Sequence, residues 1–207
     1  LFHNIEYIFQ TMPSPFQSYL TEKSGLKLEE FELLTPSVKT MAVAKGKILL
    51  KPGEVCQHSF FVEKGLLRSY TIDEGGKEHI IQFATEEWFI SDRSSAYFNE
   101  ASEFYIEAIE DSEVVLINHD FMVKAGGLNT SFREYNERLL QNHIRHLQKR
   151  INLLLGATAE KRYLDFIQLY PDLLLRVPQW MIASYLGITP ESLSRVRKEL
   201  ARKNFRN

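Results

Sequence analysis

The sequence is poor in the residues that build redox and metal centres. Cys56 is the one cysteine among 207 residues, so the sequence holds no internal disulfide, and one thiolate is too few for an iron–sulfur cluster. His58, His79 and His119 stand apart and form no His-x-His pair, which disfavours the metal site of a cupin-type enzyme. We expect Cys56 to be a small core residue and predict no metal and no cofactor.

Long apolar stretches are also missing. No run approaches the roughly 20 apolar residues that span a bilayer, and residues 1–20 lack the basic head and apolar core of a secretory signal. We therefore expect a cytoplasmic protein with no membrane partner. Nucleophile elbows, phosphate-cradling loops and paired metal-binding motifs are absent as well, so the sequence does not favour an enzyme.

The charge is distributed unevenly along the chain. The composition is 44% hydrophobic and the net charge is −2, which suits two domains of ordinary size. Residues 1–138 carry 13 Lys and Arg against 22 Asp and Glu, whereas residues 139–207 carry 12 against 5. A basic C-terminal part favours a polyanionic partner such as double-stranded DNA, because neutralising phosphates supplies affinity independent of base sequence.

Residues 177–202 have the pattern of a helix-turn-helix, two short helices joined by a tight turn. Pro178 and Pro190 suit first helical positions, and Thr189 can cap the second helix with its hydroxyl. Gly187 would end the first helix in the left-handed conformation that residues with a Cβ resist. This segment is called the reader below.

The reader divides into an apolar and a polar face. Its apolar residues recur at helical spacing and predict a small core: Ile182, Leu186, Ile188, Leu193, Val196 and Leu200. Glu191, Ser194, Arg195 and Lys198 share one polar stripe of the second helix, where Arg and Glu can read base edges. Gln179, Thr189 and Ser192 are candidates for phosphate contacts near helix N-termini. The alternative is an ordinary charged helix pair on a protein surface.

The N-terminal part has regularly spaced turn signals, which are typical of an antiparallel β-structure. Turn signals at Lys45-Gly46, Pro52-Gly53, Lys64-Gly65 and Gly75-Gly76 separate short apolar stretches. The predicted strands are 48–50, 59–62, 66–71, 79–83, 105–108 and 114–118. Residues 91–98 predict a short helix, and the segment before Val38 predicts further short helices.

A long helix is predicted between the two parts, over residues 130–155, which contain no Pro or Gly. Its apolar residues alternate in steps of four and three, typical of a coiled-coil seam: Leu140, Ile144, Leu147, Ile151 and Leu154. These five residues, called the seam, predict a homodimer; packing against the same chain is the alternative. Gly156 is a candidate hinge, and Thr158 can cap a further helix. His143 and His146 lack a third metal ligand nearby.

The stretch KGKILLKPGEVCQHSFFVEKGLLRSYTIDEGGKEHIIQF resembles the sensor domain of the Crp/Fnr transcription-factor family, and Tyr185-Leu186-Gly187-Ile188-Thr189 resembles the turn of that family's reader. Such β-rolls also occur in kinase regulatory subunits and channel domains. The resemblance implies an α+β fold with an N-terminal double-stranded β-helix, or jelly roll (1–129), a dimerisation helix (130–155) and a C-terminal winged-helix-type helix-turn-helix domain (156–207). It also implies a dimeric regulator of transcription.

Family members that bind cyclic AMP use a Gly-Glu pair and, about ten residues later, an Arg-Ser pair. An ungapped alignment places Ser91-Asp92 and Ser102-Glu103 at these positions, and we call these four residues the cassette. The phosphate-binding arginine is missing, and Glu103 would stand beside an anionic phosphate. Arg93 is the one candidate replacement. The cassette is therefore degenerate, and the usual response to cyclic AMP is not expected.

The reader also differs from the Crp/Fnr pattern. Glu191, Ser194 and Arg195 match the family's recognition helix, but Pro190 replaces a base-reading arginine, which implies a different operator. The family's β-hairpin wing is expected to be shortened or absent. The sequence leaves open whether the protein binds a small-molecule effector. If the protein is an activator, RNA polymerase is a further expected partner. A small-molecule receptor that acts without DNA is the alternative function.

Overall fold

A jelly roll followed by a helical C-terminal part forms the protein in a computed structural model, which describes residues 13–204. The α+β prediction is confirmed. The helices are α1 Pro15–Ser24, α2 Leu28–Leu34, α3 Arg93–Phe98, α4 His119–Leu128, α5 Thr130–Gly156, α6 Ala159–Leu169, α7 Leu173–Arg176, α8 Gln179–Leu186 and α9 Pro190–Asn204. The strands are β1 Val38–Val43, β2 Ile48–Leu50, β3 Ser59–Lys64, β4 Leu67–Ile72, β5 Glu78–Ala84, β6 Phe89–Ile90, β7 Tyr105–Ala108 and β8 Ser112–Ile117.

The roll consists of two four-stranded antiparallel sheets. Their strand orders are β1-β8-β3-β6 and β2-β7-β4-β5, so β5 lies at one edge of the second sheet. Buried side chains of both sheets meet in a core that includes Cys56, Val62, Leu67 and Ile106. All six predicted strands are present within two residues at each end, and β1 and β6 are additional.

Gly65 at the turn between β3 and β4 permits a close approach of two strands. Its φ is +96°, and a Cβ built there would lie 2.3 Å from Ser112 Oγ and 2.8 Å from Ser112 Cα. Only glycine fits both this backbone conformation and this space. The Lys64-Gly65 turn signal therefore reflects a steric requirement.

Helices α1, α2 and α4 cover one face of the roll. Phe16, Phe31 and Phe121 are buried there with Phe61 of β3 and Phe132 of α5. Ser14 caps α1, and Asn129 caps α5 by accepting a hydrogen bond from Phe132 N–H at 3.0 Å. Asn129 thus marks the start of the long helix at the predicted position.

The C-terminal helices share one apolar core with the roll, which we call the shared core. Ile80 and Phe83 of the roll lie in it with Phe166, Tyr170 and Tyr185 of α6 to α8. Thr158 caps α6, as predicted, by accepting a hydrogen bond from Lys161 N–H. Helix α5 continues one residue beyond its predicted end and stops at Gly156, since Ala157 is extended.

Candidate nucleic-acid interface

The turn of the reader has the predicted geometry. Gly187 ends α8 with φ +64° and ψ +37°, in the left-handed region. Pro190 is the first residue of α9, and Thr189 Oγ1 accepts a hydrogen bond from Ser192 N–H at 3.2 Å. Pro178 lies one position earlier than predicted, because it precedes α8, which begins at Gln179.

The two helices of the reader pack through the predicted apolar residues. Ile182, Leu186 and Leu193 are at most 2% exposed, and Val196 is buried as well. Ile188 and Leu200 pack against the same shared core. This packing fixes which side of α9 is free to meet another molecule.

The opposite side of α9 carries the predicted stripe of polar residues. Glu191, Ser194, Arg195 and Lys198 are all exposed. Hydrogen bonds from its own backbone amide and from the Thr189 hydroxyl lower the pKa of Glu191, so this side chain is an acceptor at neutral pH. The stripe thus presents one carboxylate, one hydroxyl and two cations, a set that can pair with base edges in the major groove.

Gln179 lies at the first turn of α8 and is tied to α9. Its side-chain oxygen accepts a hydrogen bond from Arg197 Nη1 at 2.6 Å. Arg197 was not among the predicted site residues, because it lies off the stripe of Arg195 and Lys198 on the helix surface. The pair places a cation beside the start of α8, where backbone N–H groups favour phosphate. Ser192 is half-buried next to Thr189, 3.3 Å between their hydroxyl oxygens.

Most of the seam lies on a side of α5 that residues 13–204 leave uncovered. Ile144, Leu147, Ile151 and Leu154 are 37% to 56% exposed, and Leu140 is half-buried. The neighbouring side of α5 faces the same chain, where Arg150 donates hydrogen bonds to backbone carbonyls of Ile80, Ile81 and Tyr185. Leu154 lies against the turn of the reader, since its Cδ2 is 3.2 Å from the position of a Cβ on Gly187. Packing within the described residues does not explain the apolar side chains of Ile144, Leu147 and Ile151.

The reader is attached to the edge strand β5 of the roll. Ser184 Oγ accepts a hydrogen bond from Ile80 N–H at 3.0 Å and donates one to Glu78 O at 2.8 Å. Tyr170 OH donates to Phe83 O at 3.3 Å, so side chains of the C-terminal helices satisfy backbone groups that an edge strand leaves unpaired.

A second attachment involves Arg176 at the end of α7. Its guanidinium forms ion pairs with Glu86 at 2.9 Å and Glu110 at 2.8 Å, and it donates to Gly65 O. These bonds join the helical part to three loops of the roll. Hydrogen bonds to both carboxylates raise the pKa of Arg176.

Two residues of the cassette, Asp92 and Ser102, are hydrogen-bonded to each other. Asp92 caps α3 by accepting from Ser95 N–H at 3.1 Å, and its second oxygen accepts from Ser102 Oγ at 2.8 Å. Both Asp92 and Ser102 are buried, Ser91 is half-buried and Glu103 is exposed. Ser102 Oγ also accepts a hydrogen bond from Phe104 N–H at 3.0 Å, so its polar contacts lie within the roll.

Arg93 does not replace the missing arginine in this arrangement. Within residues 13–204 it makes no hydrogen bond to Asp92 or Ser102. Its charge instead acts on α5, where burial, and after it the charge of Arg93, lowers the pKa of His143.

Phe83, Tyr135 and the adjacent pair Tyr97 and Phe98 lie at three separate places in the structure. Phe83 lies in the shared core. Tyr135 of α5 donates a hydrogen bond from its hydroxyl to the Tyr19 hydroxyl of α1 at 2.5 Å. Tyr97 and Phe98 are 78% and 64% exposed on α3. These four residues therefore do not line one pocket.

The described residues form neither a metal site nor a membrane-spanning helix. Residues 13–204 bring no group of three or more His, Cys, Asp or Glu together in a way that could hold a metal ion. Every helix within these bounds is too short or too polar to cross a bilayer.

Comparison with known proteins finds similarity over about three quarters of the chain. Residues 40–125 match the cyclic nucleotide-binding domain family. The chain is 28% identical over 165 residues to the anaerobic regulatory protein of Aggregatibacter actinomycetemcomitans, a match that covers 74% of the chain but only 63% of that relative. The chain thus spans less than two thirds of the relative's length.

Solved structures show the same fold. FixK2 from Bradyrhizobium japonicum is similar with a TM-score of 0.66 and 24% identity over 81% of this chain and 86% of that chain. A putative transcriptional regulator of the Crp/Fnr family from Eubacterium rectale is similar with a TM-score of 0.65 and 20% identity, over 90% and 88% of the two chains. In its jelly roll, its reader and its sequence likeness to a named regulator, the chain is similar to the regulators of the Crp/Fnr family.

Proposed function

We propose that the protein is a sequence-specific, dimeric DNA-binding regulator of transcription. The observation that carries the proposal is the reader, whose buried side is packed and whose outer side presents Glu191, Ser194, Arg195 and Lys198 to solvent. Arg195 and Glu191 read base edges in the major groove, with Ser194 and Lys198 beside them. Gln179, Thr189 and Ser192 contact phosphates, and Arg197 supplies a further charge through its bond to Gln179.

Dimerisation through the seam supports this role. A second copy that packs its own seam against the first would bury apolar residues that are 37% to 56% exposed in the single chain. The two-fold symmetry of such a dimer presents two readers, which suits half-sites about one DNA turn, roughly 34 Å, apart. The domain bounds 1–129, 130–155 and 156–207 belong to the same proposal, with Gly156 as the hinge between the last two.

The regulator acts without the usual response to cyclic AMP. Asp92 and Ser102 satisfy each other, and no guanidinium contacts them in the described part of the chain. A receptor that acts without DNA is less well supported, because its cassette is degenerate whereas the reader is complete. We assign the protein to the cytoplasm, with RNA polymerase as a partner if it activates transcription. That the protein is not an enzyme stays a prediction.

Selection of bound DNA from a random pool tests the function directly. The full chain is incubated with random duplexes, and bound duplexes are amplified through several rounds. We expect enrichment of one inverted-repeat sequence, because two symmetry-related readers contact two half-sites. Recovery of unenriched duplexes would contradict sequence-specific reading, and enrichment of a single half-site would contradict the dimer.

A further inference from the structure

Helix α8 rests on the second sheet of the roll through two side chains. Trp180 and Ser184 are four positions apart, so they share one side of the helix. Ser184 is hydrogen-bonded to Glu78 and Ile80 of β5. The centre of the Trp180 ring lies 5.5 Å from the guanidinium carbon of Arg68 on β4. The first turn of α8 therefore meets the roll at Arg68.

Arg68 is held in one place by two carboxylates. It is 5% exposed, and it donates to Glu107 Oε2 from Nε at 3.0 Å and from Nη2 at 2.6 Å. Its Nη1 donates to Glu78 Oε2. Burial alone would lower the pKa of Arg68, but the hydrogen bonds to both carboxylates raise it, so the side chain stays charged. Three hydrogen bonds from one planar group leave that group a single orientation.

Aromatic rings complete the support of this cation. The Arg68 guanidinium carbon lies 4.1 Å from the centre of the Tyr70 ring, and Tyr70 stacks on Tyr105 of β7 with 4.9 Å between ring centres. Burial, and after it the charge of Glu107, raises the pKa of Tyr70 to about 12, so this ring is uncharged at pH 7. A cation is attracted to the face of an aromatic ring within about 6 Å. Arg68 thus contacts one ring of its own sheet and the Trp180 ring of the reader.

The supported end of α8 is the end that carries candidate phosphate contacts. Gln179 precedes Trp180 directly and accepts a hydrogen bond from Arg197 Nη1 at 2.6 Å. Both Gln179 and Arg197 are exposed. Arg68 itself is too buried to touch a phosphate. Any effect of Arg68 on DNA binding therefore passes through the residues that it contacts.

We propose that Arg68 is a positioning residue for DNA binding, which holds Trp180 and thereby sets where Gln179 and Arg197 meet the phosphates. The inference rests on the proposed function and extends it, because it gives a buried residue of the roll a role in DNA affinity. Without this hold, the first turn of α8 shifts and the bond between Gln179 and Arg197 is lost. A phosphate contact then weakens, whereas the polar stripe of α9 keeps its place.

Arg68→Lys tests this role, because lysine keeps the charge but lacks the planar group that pairs and stacks. Affinity for the operator selected from random DNA is measured at several salt concentrations. We expect about tenfold weaker binding, and a slope of log affinity against log salt that is smaller by about 0.9, the share of one phosphate contact. Arg145→Lys, at an exposed position of α5, should change neither quantity.

The outcomes separate this inference from the proposed function. If the unmodified chain binds no DNA, the proposed function fails. If the unmodified chain binds and Arg68→Lys binds equally well, only the positioning role is overturned. Weaker binding with an unchanged slope would indicate a general loss of structure, and it would also overturn the positioning role.

A double-mutant cycle shows whether the effect passes through Trp180. We expect the double variant of Arg68→Lys and Trp180→Ala to bind no more weakly than Trp180→Ala alone, because both changes break the same contact. Trp180→Phe keeps a ring near Arg68 and should retain most of the affinity. Losses that multiply in the double variant would mean independent contributions and would contradict the proposal.

Indole N–H spectra of the full chain test the contact without DNA. The chain has two tryptophans, and the Trp180 signal is the one that Trp180→Phe removes. Arg68→Lys should shift this signal more than the signal of Trp88. An unmoved Trp180 signal would show that Arg68 does not hold the ring.

Glu107→Gln replaces Arg68→Lys in every measurement if that variant does not fold. The amide keeps the shape of the side chain but weakens the two hydrogen bonds that Arg68 donates to it. Loss of a negative charge would by itself favour DNA. Weaker operator binding by Glu107→Gln would therefore support the positioning role, and equal or tighter binding would contradict it.

Discussion

Ser184 of the reader and Ile80 of the roll are joined by a hydrogen bond of 3.0 Å from the Ile80 backbone N–H to the Ser184 hydroxyl. The same hydroxyl donates to Glu78 O at 2.8 Å. One side chain of α8 thereby satisfies two backbone groups on the edge strand of the roll. The reader and the roll are coupled at this point by direct bonds and by the shared core.

Replacing Ser184 with Ala should destabilise the protein. The Ile80 N–H would lose its acceptor at a half-buried site, and an unmade hydrogen bond of this kind costs about 1 to 3 kcal/mol. Urea unfolding measures the change. Ser194→Ala makes the same chemical change at an exposed position of α9, where about 0.5 kcal/mol or less is expected. Equal unfolding midpoints for the two variants would show that the Ser184 bonds do not stabilise the attachment.

Gly65→Ala should cost more stability than Gly53→Ala. Both glycines have a positive φ, +96° and +87°, but a Cβ at residue 53 meets nothing within 4 Å whereas one at residue 65 meets Ser112 at 2.3 Å. The left-handed backbone costs about 1 to 2 kcal/mol at either position, and overpacking adds about 1 to 3 kcal/mol at Gly65 alone. The unfolding temperatures of the two variants measure these losses of stability. A smaller loss at Gly65 than at Gly53 would contradict the close approach.

Leu147→Asp should convert the dimer to monomers, because a carboxylate in the seam would be buried opposite its symmetry mate. Sedimentation velocity measures the change. Leu175→Asp is the control, since Leu175 lies on α7 and is 94% exposed; it should leave the dimer intact. A dimeric Leu147→Asp variant would show that the seam is not the dimer interface.

Cyclic AMP should produce no saturable heat in a calorimetric titration. The phosphate would approach the carboxylate of Glu103, at a cost of about 1 to 4 kcal/mol near a surface. Ser102 lacks the charge to offset it and already donates to Asp92. Saturable binding in the micromolar range would show that the cassette works despite its residues.

Local patterns predicted the parts of the fold that depend on short spacings. The turn glycines predicted the positions of six strands, and the heptad spacing predicted the position of α5. Strand β6 has only two residues, too few for a period, and α4 contains Gly126 and Gly127, which disfavour helix in isolation. Packing of α4 against α2 and α5 outweighs that preference.

Contacts between distant residues could not be predicted from the sequence. Arg176 pairs with Glu86 and Glu110, which are 90 and 66 positions away, and no periodicity relates such residues. The stripe of α9 was predictable because it follows from helical spacing alone. The role of Arg197 was not predictable, because its hydrogen bond to Gln179 depends on how α8 crosses α9.

Operator binding by Arg195→Ala most directly tests whether this chain reads DNA sequence. The affinity of the unmodified chain and of the variant is measured at one salt concentration on the selected operator and on random DNA. Arg133→Ala, which removes an exposed arginine of α5, is the matched control. Loss of a bidentate base contact should cost about 1 to 3 kcal/mol on the operator and relax the preference at one base position, with a much smaller loss on random DNA. An equal loss on both DNAs would mean that Arg195 contacts only phosphate, and an unchanged operator affinity would contradict its place in the reader.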